Sequence, residues 1–331
     1  MSNKTYVILG GNGIFGVHTA LYLLKHANPK KVICVGRNPE KMDAFTLGVG
    51  HGDARYAYQQ VHIVHEQDRL FEMFDKERPD VVVNFAALAY ATSWTKAWRY
   101  YETNLTALAR MTEFLAGRDY LRRWIQIGTS ELYGSVDVPA TEETPLRPTS
   151  PYAVSKAAGD MHLQSIVGVQ KFPMNILRPS NAYGPGQQVY RVIPRLVVCG
   201  LTGQRMPLQG GGAVEKSYIH SQDLARAVHL IDEKAPLGTI YNAGPALPVS
   251  IRELAERIAK IMGIPFDQLV EMAPGRYGED QRYWLDSSAI KRDTGWEPQI
   301  GLDEGLAEMV EWGRRHIEQL KLAPTEYTLY A

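Results

Sequence analysis

The sequence carries no excess charge: 36 Lys and Arg stand against 36 Asp and Glu, a formal net charge of +0. A balanced surface creates no global field to gather a polyanion. Neither nucleic acid nor an anionic membrane is therefore the expected partner, and any anion site has to be local. Cysteine is scarce, with 2 in 331 residues. Cys34 and Cys199 lie far apart in the apolar runs VICV and LVVCG. That setting suits buried free thiols and offers neither a disulfide framework nor a metal-ligand spacing. No apolar run approaches the ~18 residues that a membrane-spanning helix needs. The opening MSNKTYVILGG runs into glycines rather than a cleavage site, so a signal peptide is not expected and the expected location is cytoplasmic. Internal repeats and low-complexity segments are lacking too.

What is present is an ordinary globular composition, 45% apolar and 22% charged. Short β-rich runs alternate with longer amphipathic stretches. Strands are expected at 5–10, 31–36, 61–64, 80–87, 123–129 and 174–179, and helices at 14–27, 67–77, 95–117 and 151–170. Continuous apolar strands alternating with helices imply an α/β fold, a doubly wound parallel sheet of Rossmann type. After residue 180 Pro and Gly become frequent, with helices at 221–233, 250–262 and 303–319 and the short strand TIYNAG. The expected organisation is a dinucleotide-binding domain over 1–179, rejoined by 218–245, and a smaller α+β substrate domain formed by 180–217 and 246–331.

Two clusters carry chemistry. Gly10-Gly11-Asn12-Gly13-Ile14-Phe15-Gly16 follows the first strand and opens the first helix. Gly10 permits the tight turn, Gly13 lets backbone approach a pyrophosphate, and Gly16 allows helix to pack on strand. The free N–H groups that follow, including those of Ile14 and Phe15, then face the phosphates. An NAD site would place Asp or Glu after the second strand; Gly36-Arg37-Asn38 stands there instead. A guanidinium suits a 2′-phosphate, so the expected cofactor is NADP, held by Arg37, with NAD as the alternative.

The second cluster is Tyr152-Ala153-Val154-Ser155-Lys156, with Tyr and Lys one helical turn apart on one face. A phenol has a reference pKa of about 10, and a neighbouring ammonium favours its phenolate, which makes Tyr152 a candidate base. Just upstream, Gly128-Thr129-Ser130-Glu131-Leu132-Tyr133-Gly134 ends the fifth strand, at the sheet edge where ligands bind. Thr129 can hydrogen-bond a substrate hydroxyl, and Glu131 is a second candidate base.

With these motifs the sequence resembles the extended short-chain dehydrogenase/reductases, the nucleotide-sugar epimerases and dehydratases. The likeness runs from the glycine turn to about residue 300 and includes Asn84-Phe85-Ala86-Ala87, Asn104, Arg178-Pro179-Ser180-Asn181-Ala182-Tyr183-Gly184-Pro185, Asp280-Gln281-Arg282-Tyr283 and Gly295-Trp296-Glu297-Pro298. It implies that Ala86 and Ala87 lie beside the cofactor, that Lys156 reaches its ribose, and that His62 stands at the position facing the adenine. It further implies substrate contacts from Tyr90, Thr129, Asn181, Lys216 and Arg282, and a homodimer built on the helices at 95–117 and 151–170. Thr-Ser-Glu-Leu-Tyr-Gly is most similar to the sugar 4,6-dehydratases of the GDP-mannose type. In that chemistry Tyr152 would deprotonate the C4 hydroxyl, Glu131 would remove the C5 proton as water leaves C6, and Ser130 could relay a proton to the departing hydroxyl. The substrate would be a nucleotide-diphosphate sugar. The open alternatives are an epimerase, a uronate decarboxylase and a non-catalytic dinucleotide-binding relative.

Overall fold

A computed structural model describes residues 3–39, 42–89, 96–275 and 281–326. Short, mostly apolar runs build a seven-stranded parallel sheet. Its first six strands in chain order are β1 (Thr5–Leu9), β2 (Lys31–Gly36), β3 (Tyr56–Gln60), β4 (Val81–Asn84), β5 (Arg123–Ile127) and β6 (Met174–Pro179). The spatial order is Ile240–Ala243, β6, β5, β4, β1, β2, β3. Both faces are covered: Tyr6, Ile8, Val32 and Val83 belong to one buried cluster, and Val7, Leu9, Ile33 and Val82 to the other. Double coverage is why these strands read as unbroken apolar runs. The strand order reverses between β1 and β4, which opens a crevice at their C-terminal ends.

The third strand lies at Tyr56–Gln60, not at 61–64 as the sequence suggested. Its partner register, Val32↔Tyr56 to Gly36↔Gln60, is set by β2. An edge strand ending in Gln59-Gln60 hides its strand character, while Val61 and Ile63 insert into the core from the loop that follows. His62 therefore sits in a loop, not a strand. Its Nδ1 accepts from the backbone N–H of Val64 at 3.2 Å and of His65 at 3.3 Å.

The long helix expected over 95–117 is described from Trp98 to Leu115 and is interrupted. A π-helical turn over Glu102–Thr106 separates its two α segments. Such bulges cluster at functional positions, and this one carries Asn104. The Asn104 carboxamide accepts from Leu88 N at 2.9 Å and donates to Ser155 Oγ at 2.9 Å. It thereby joins the loop after β4 to the 151–170 helix.

The segment after β6 forms short strands and the helices Val192–Thr202, Ile251–Met262 and Leu302–Leu320 around a separate apolar cluster. Trp296 locks the C-terminal part to the Ser221–Lys234 helix. Its indole N–H donates to Asp223 O at 2.9 Å, and the Asp223 carboxylate accepts from Gln299 N and Ile300 N at 2.9 and 3.0 Å. No helix among the described residues is long and apolar enough to cross a membrane.

Helix α1 (Ile14–His26) is pinned to the Tyr183–Pro185 segment through His18, whose Nε2 lies 2.9 Å from Pro185 O. Burial pulls the His18 pKa down to about 4, against the Pro185 bond, with His220 lowering it further and Glu308 opposing. A group depressed in the folded state is protonated first in the unfolded chain. Stability is therefore retained above about pH 6.5 and lost as pH falls toward about 4, by about 2–3 kcal/mol from this residue. Urea unfolding across that range should show the slope in the wild type and a flatter one in His18→Gln. Equal slopes would remove His18 as the cause.

Candidate active site

The glycine turn sits at the crevice. Gly10 adopts φ +76°, and Gly13 N donates to Gly10 O at 2.9 Å. A Cβ on Gly10 would lie 2.8 Å from Ala86 N, and one on Gly16 would lie 2.5 Å from Gly11 Cα. Gly11, not singled out in the sequence, is equally constrained: its Cβ would lie 2.5 Å from Cys34 Cβ on β2. Gly13 differs, since its Cβ would meet only Gly10 O, at 3.2 Å. Three glycines thus pack the turn against β2 and β4, and the fourth leaves the start of α1 open with no side chain capping it. That cradle fits a dinucleotide pyrophosphate. Ile14 is buried beneath it, and Phe15 tilts on Phe85 at 6.2 Å. Asn84 Oδ1 accepts from Ala86 N at 3.1 Å, which holds the half-buried Ala86 and Ala87 against Gly10.

Arg37 is exposed beyond β2, where Gln60 Nε2 donates to its carbonyl at 3.1 Å. His62 is lowered in pKa by burial first, then by His65, Arg37 and Arg99. Four basic residues from two loops and one helix therefore share this end of the crevice. Their proximity is invisible in the sequence, where they span more than sixty positions.

The catalytic candidates lie on the other side. Helix Pro151–Gln170 starts with Ser150 as cap, its Oγ accepting from Ala153 N at 3.1 Å, and with Pro151 in the first turn. These fix where the helix begins, and so where Tyr152 points. Tyr152 packs edge-on against Tyr100 at 6.5 Å. Lys156 is buried and donates to Ile127 O at the end of β5. Thr129 caps the 3₁₀ turn Ser130–Tyr133, accepting from Glu131 N at 3.3 Å. Gly134 closes that turn at φ +69°, and a Cβ there would lie 2.6 Å from Arg147 O.

The electrostatics follow from burial. The Tyr152 phenol is pushed well above its ordinary range by burial and then by the Glu131 carboxylate; a hydrogen bond with Thr129 and the Arg191 cation oppose this. Burial lowers Lys156 to about 8, and Asp160 opposes that shift. The structure thus brings Thr129, Glu131, Tyr152 and Lys156 into one site, with Ser130 buried next to Glu131. A phenol raised in this way is neutral at neutral pH, and a cation facing it favours the phenolate.

Two residues of this site were missed in the sequence. Arg191 acts on Tyr152 and donates to Ala89 O at 2.8 Å. It lies on a Gly- and Gln-rich loop, and no spacing marks it. Asp160 was findable, because 152, 156 and 160 repeat at one helical turn.

The expected substrate contacts are placed unevenly. Asn181 Oδ1 is buried without a hydrogen-bond partner, and its Nδ2 is the atom able to donate to a phosphate. Arg282 and Tyr283 pair in register with Glu215 and Lys216. Alternation along the strands then sends Arg282 and Lys216 to opposite faces of this small sheet. Arg282 Nε is engaged by the Glu215 carboxylate, and the Lys216 ammonium sits 5.5 Å from the Tyr283 ring centre. Tyr90 and Asp280 lie outside the described residues.

A family model described as GDP-mannose 4,6 dehydratase matches residues 7–309. A dTDP-glucose 4,6-dehydratase of Streptomyces griseus is 30% identical over 319 residues, covering 94% of this chain and 94% of that protein. The crystal structure of a dTDP-glucose 4,6-dehydratase from Streptomyces venezuelae, with NAD bound, matches with a TM-score of 0.88 at 30% identity, covering 95% of this chain and 98% of that one. A trifunctional UDP-glucose 4,6-dehydratase/epimerase/reductase of Arabidopsis thaliana is 25% identical over 314 residues. The match covers 93% of this chain but 47% of that protein, so the chain spans about half the length of this plant relative.

Proposed function

Because the chain belongs to the family described as GDP-mannose 4,6 dehydratase, we propose that it is a lyase that converts a nucleotide-diphosphate sugar to its 4-keto-6-deoxy form. The observation that carries this reading is the meeting of two proton-transfer groups, the Tyr152 phenol and the Glu131 carboxylate, with Thr129 bonded to the phenol. A simple redox or epimerising site needs the first group only; elimination needs both.

The glycine turn, with Ala86 and Ala87, would hold a nicotinamide dinucleotide, which when bound supplies the hydride acceptor and donor. Tyr152 takes the C4 hydroxyl proton as the sugar is oxidised, and Lys156 offsets the phenolate charge. The new C4 carbonyl acidifies the C5 hydrogen. Glu131 removes that proton as the C6 hydroxyl leaves as water, and Ser130 relays a proton to the departing oxygen. Asn181, through its Nδ2 amide donor, and Lys216 bear on the diphosphate, whereas Arg282 is paired with Glu215 on the other face of the strand pair.

Arg37 and its neighbours His62, His65 and Arg99 support NADP over NAD, since a 2′-phosphate would neutralise this basic group. A homodimer through the two long helices is supported by Trp98 and Tyr101 on one and Val154 and Met161 on the other, all exposed apolar side chains. Arg191 is the one feature that favours a uronate decarboxylase, because a cation near Tyr152 could meet a C6 carboxylate.

Incubation with a panel of nucleotide sugars should yield a product lighter by one water. Unchanged mass would indicate an epimerase, loss of carbon dioxide a decarboxylase, and no reaction a non-catalytic relative. Glu131→Gln should still oxidise the sugar, seen as a rise in reduced-nicotinamide absorbance, and release no 6-deoxy product; an unimpaired yield would remove Glu131 from the mechanism. Calorimetry should give a lower Kd for NADP than for NAD, and Arg37→Ala should narrow the gap; tighter NAD binding would refute the preference. Sedimentation should show a dimer in the wild type and a monomer in Trp98→Glu; a monomeric wild type would end that assignment.

A further inference from the structure

Beneath the site lies a buried ion pair that the reaction just described does not use. Asp160 stands one turn beyond Lys156 and two beyond Tyr152, on the same face of the helix. Its Oδ2 accepts from Arg178 Nε at 2.9 Å, and the two side chains are 1% and 3% exposed. The other carboxylate oxygen, Oδ1, is buried with no hydrogen-bond partner. Burying such a pair costs desolvation energy that hydrophobic packing would not, so its presence asks for a role other than stability.

The pair also reaches every strand end that carries the site. Arg178, on β6, donates from Nη1 to the Tyr133 hydroxyl at 2.7 Å, and that hydroxyl donates to Asn242 Oδ1 at 2.9 Å. Tyr133 closes the turn that holds Ser130 and Glu131. A Cβ on Gly128 would lie 2.9 Å from Arg178 Cγ and 3.5 Å from Asp160 Oδ2, so the residue before Thr129 packs directly on the pair. One buried guanidinium thereby spaces the Tyr152 helix, the Glu131 turn and the segment leading to Asn181.

The titratable groups one turn from Lys156 on its own helix are Tyr152 and Asp160, and the elements packed on that helix carry Glu131 and Tyr133 on the turn, Arg178 on β6, Tyr100 on the 98–101 segment and Glu102 on the π-helical turn. Among them Asp160 is the group that favours the charged amine against burial. The open Oδ1 gives that carboxylate unspent capacity toward a cation.

We propose that Asp160, clamped by Arg178, is a positioning residue that keeps the Lys156 ammonium charged beneath the Tyr152 phenol, where its bond to Ile127 O holds it. Arg178 favours the ionised carboxylate against the burial that raises it; Asp160 favours the charged amine; the amine favours the phenolate, while Asp160 acting directly on the phenol is the smallest of the effects on it and opposes this. The inference rests on the reading of Lys156 as partner of Tyr152 but not on the identity of the sugar.

The test is competitive trace labelling of the full-length protein with acetic anhydride, read at Lys156 by mass spectrometry across pH, without substrate or cofactor. Asp160→Asn should lower the labelling midpoint by about one unit, the size expected for loss of one close opposite charge, and Asp160→Glu should restore it. The basic limb of the kcat profile should move the same way. Should Asp160→Asn fail to fold because Arg178 is left unpaired, the double variant Asp160→Asn, Arg178→Met removes both charges, a replacement buried pairs commonly tolerate, and its midpoint should still lie below the wild type's, by less than in Asp160→Asn because the lost guanidinium itself opposed the ammonium. A midpoint at or above the wild type's in whichever variant folds overturns the proposal. A lowered midpoint with no product from any nucleotide sugar upholds it and removes the dehydratase reading instead.

Discussion

The reversal of strand order between β1 and β4 is the constraint on which the rest of the molecule depends. Right-handed crossovers carry the chain away from β1 in one direction and from β4 in the other, so no connection covers the gap between their ends. The glycine turn and the Asn84–Ala87 segment face each other across that gap at near-contact distance, with Gly10 against Ala86 N. Any side chain on Gly10, Gly11 or Gly16 would push β2, β4 or α1 outward. The cofactor cradle is therefore the space that remains when three strands and a helix are packed as closely as backbone allows.

Charge management on the far side of the crevice follows from burial. A phenol, an ammonium, a carboxylate and a guanidinium are stacked along one helix and the adjoining strand ends, where each alone would be driven toward its neutral form. Burial raises Tyr152 and lowers Lys156, and only the neighbours restrain either shift. The π-helical turn at Glu102–Thr106 contributes by placing Asn104, which ties Ser155 to Leu88 and so fixes the rotation of the helix that presents Tyr152 and Lys156.

Much of this was legible along the chain. The helices at 67–77 and 151–170 and the strands at 31–36 and 174–179 coincide with the sequence reading, because strand 31–36 has an apolar centre buried on both faces, 67–77 repeats its apolar residues at the helical period, and Ser150-Pro151 marks the start of 151–170. The third strand was misplaced for the converse reason: at the sheet edge Tyr56 to Gln60 need not be apolar, while the apolar residues that follow serve a loop. Lys216 and Arg282 read as partners for one diphosphate, yet strand register sends them to opposite faces.

By itself the sequence determined the class of fold, the glycine turn and the Tyr–Lys pair, since each is a local pattern whose period or spacing is enforced by backbone geometry. Only the tertiary structure decided what surrounds them. That Arg178 meets Asp160 and Tyr133, that Arg191 acts on Tyr152, and that Arg37, His62 and Arg99 share one end of the crevice are contacts between distant segments. Such contacts depend on the sheet's strand order and on desolvation, and neither quantity is encoded at any single position.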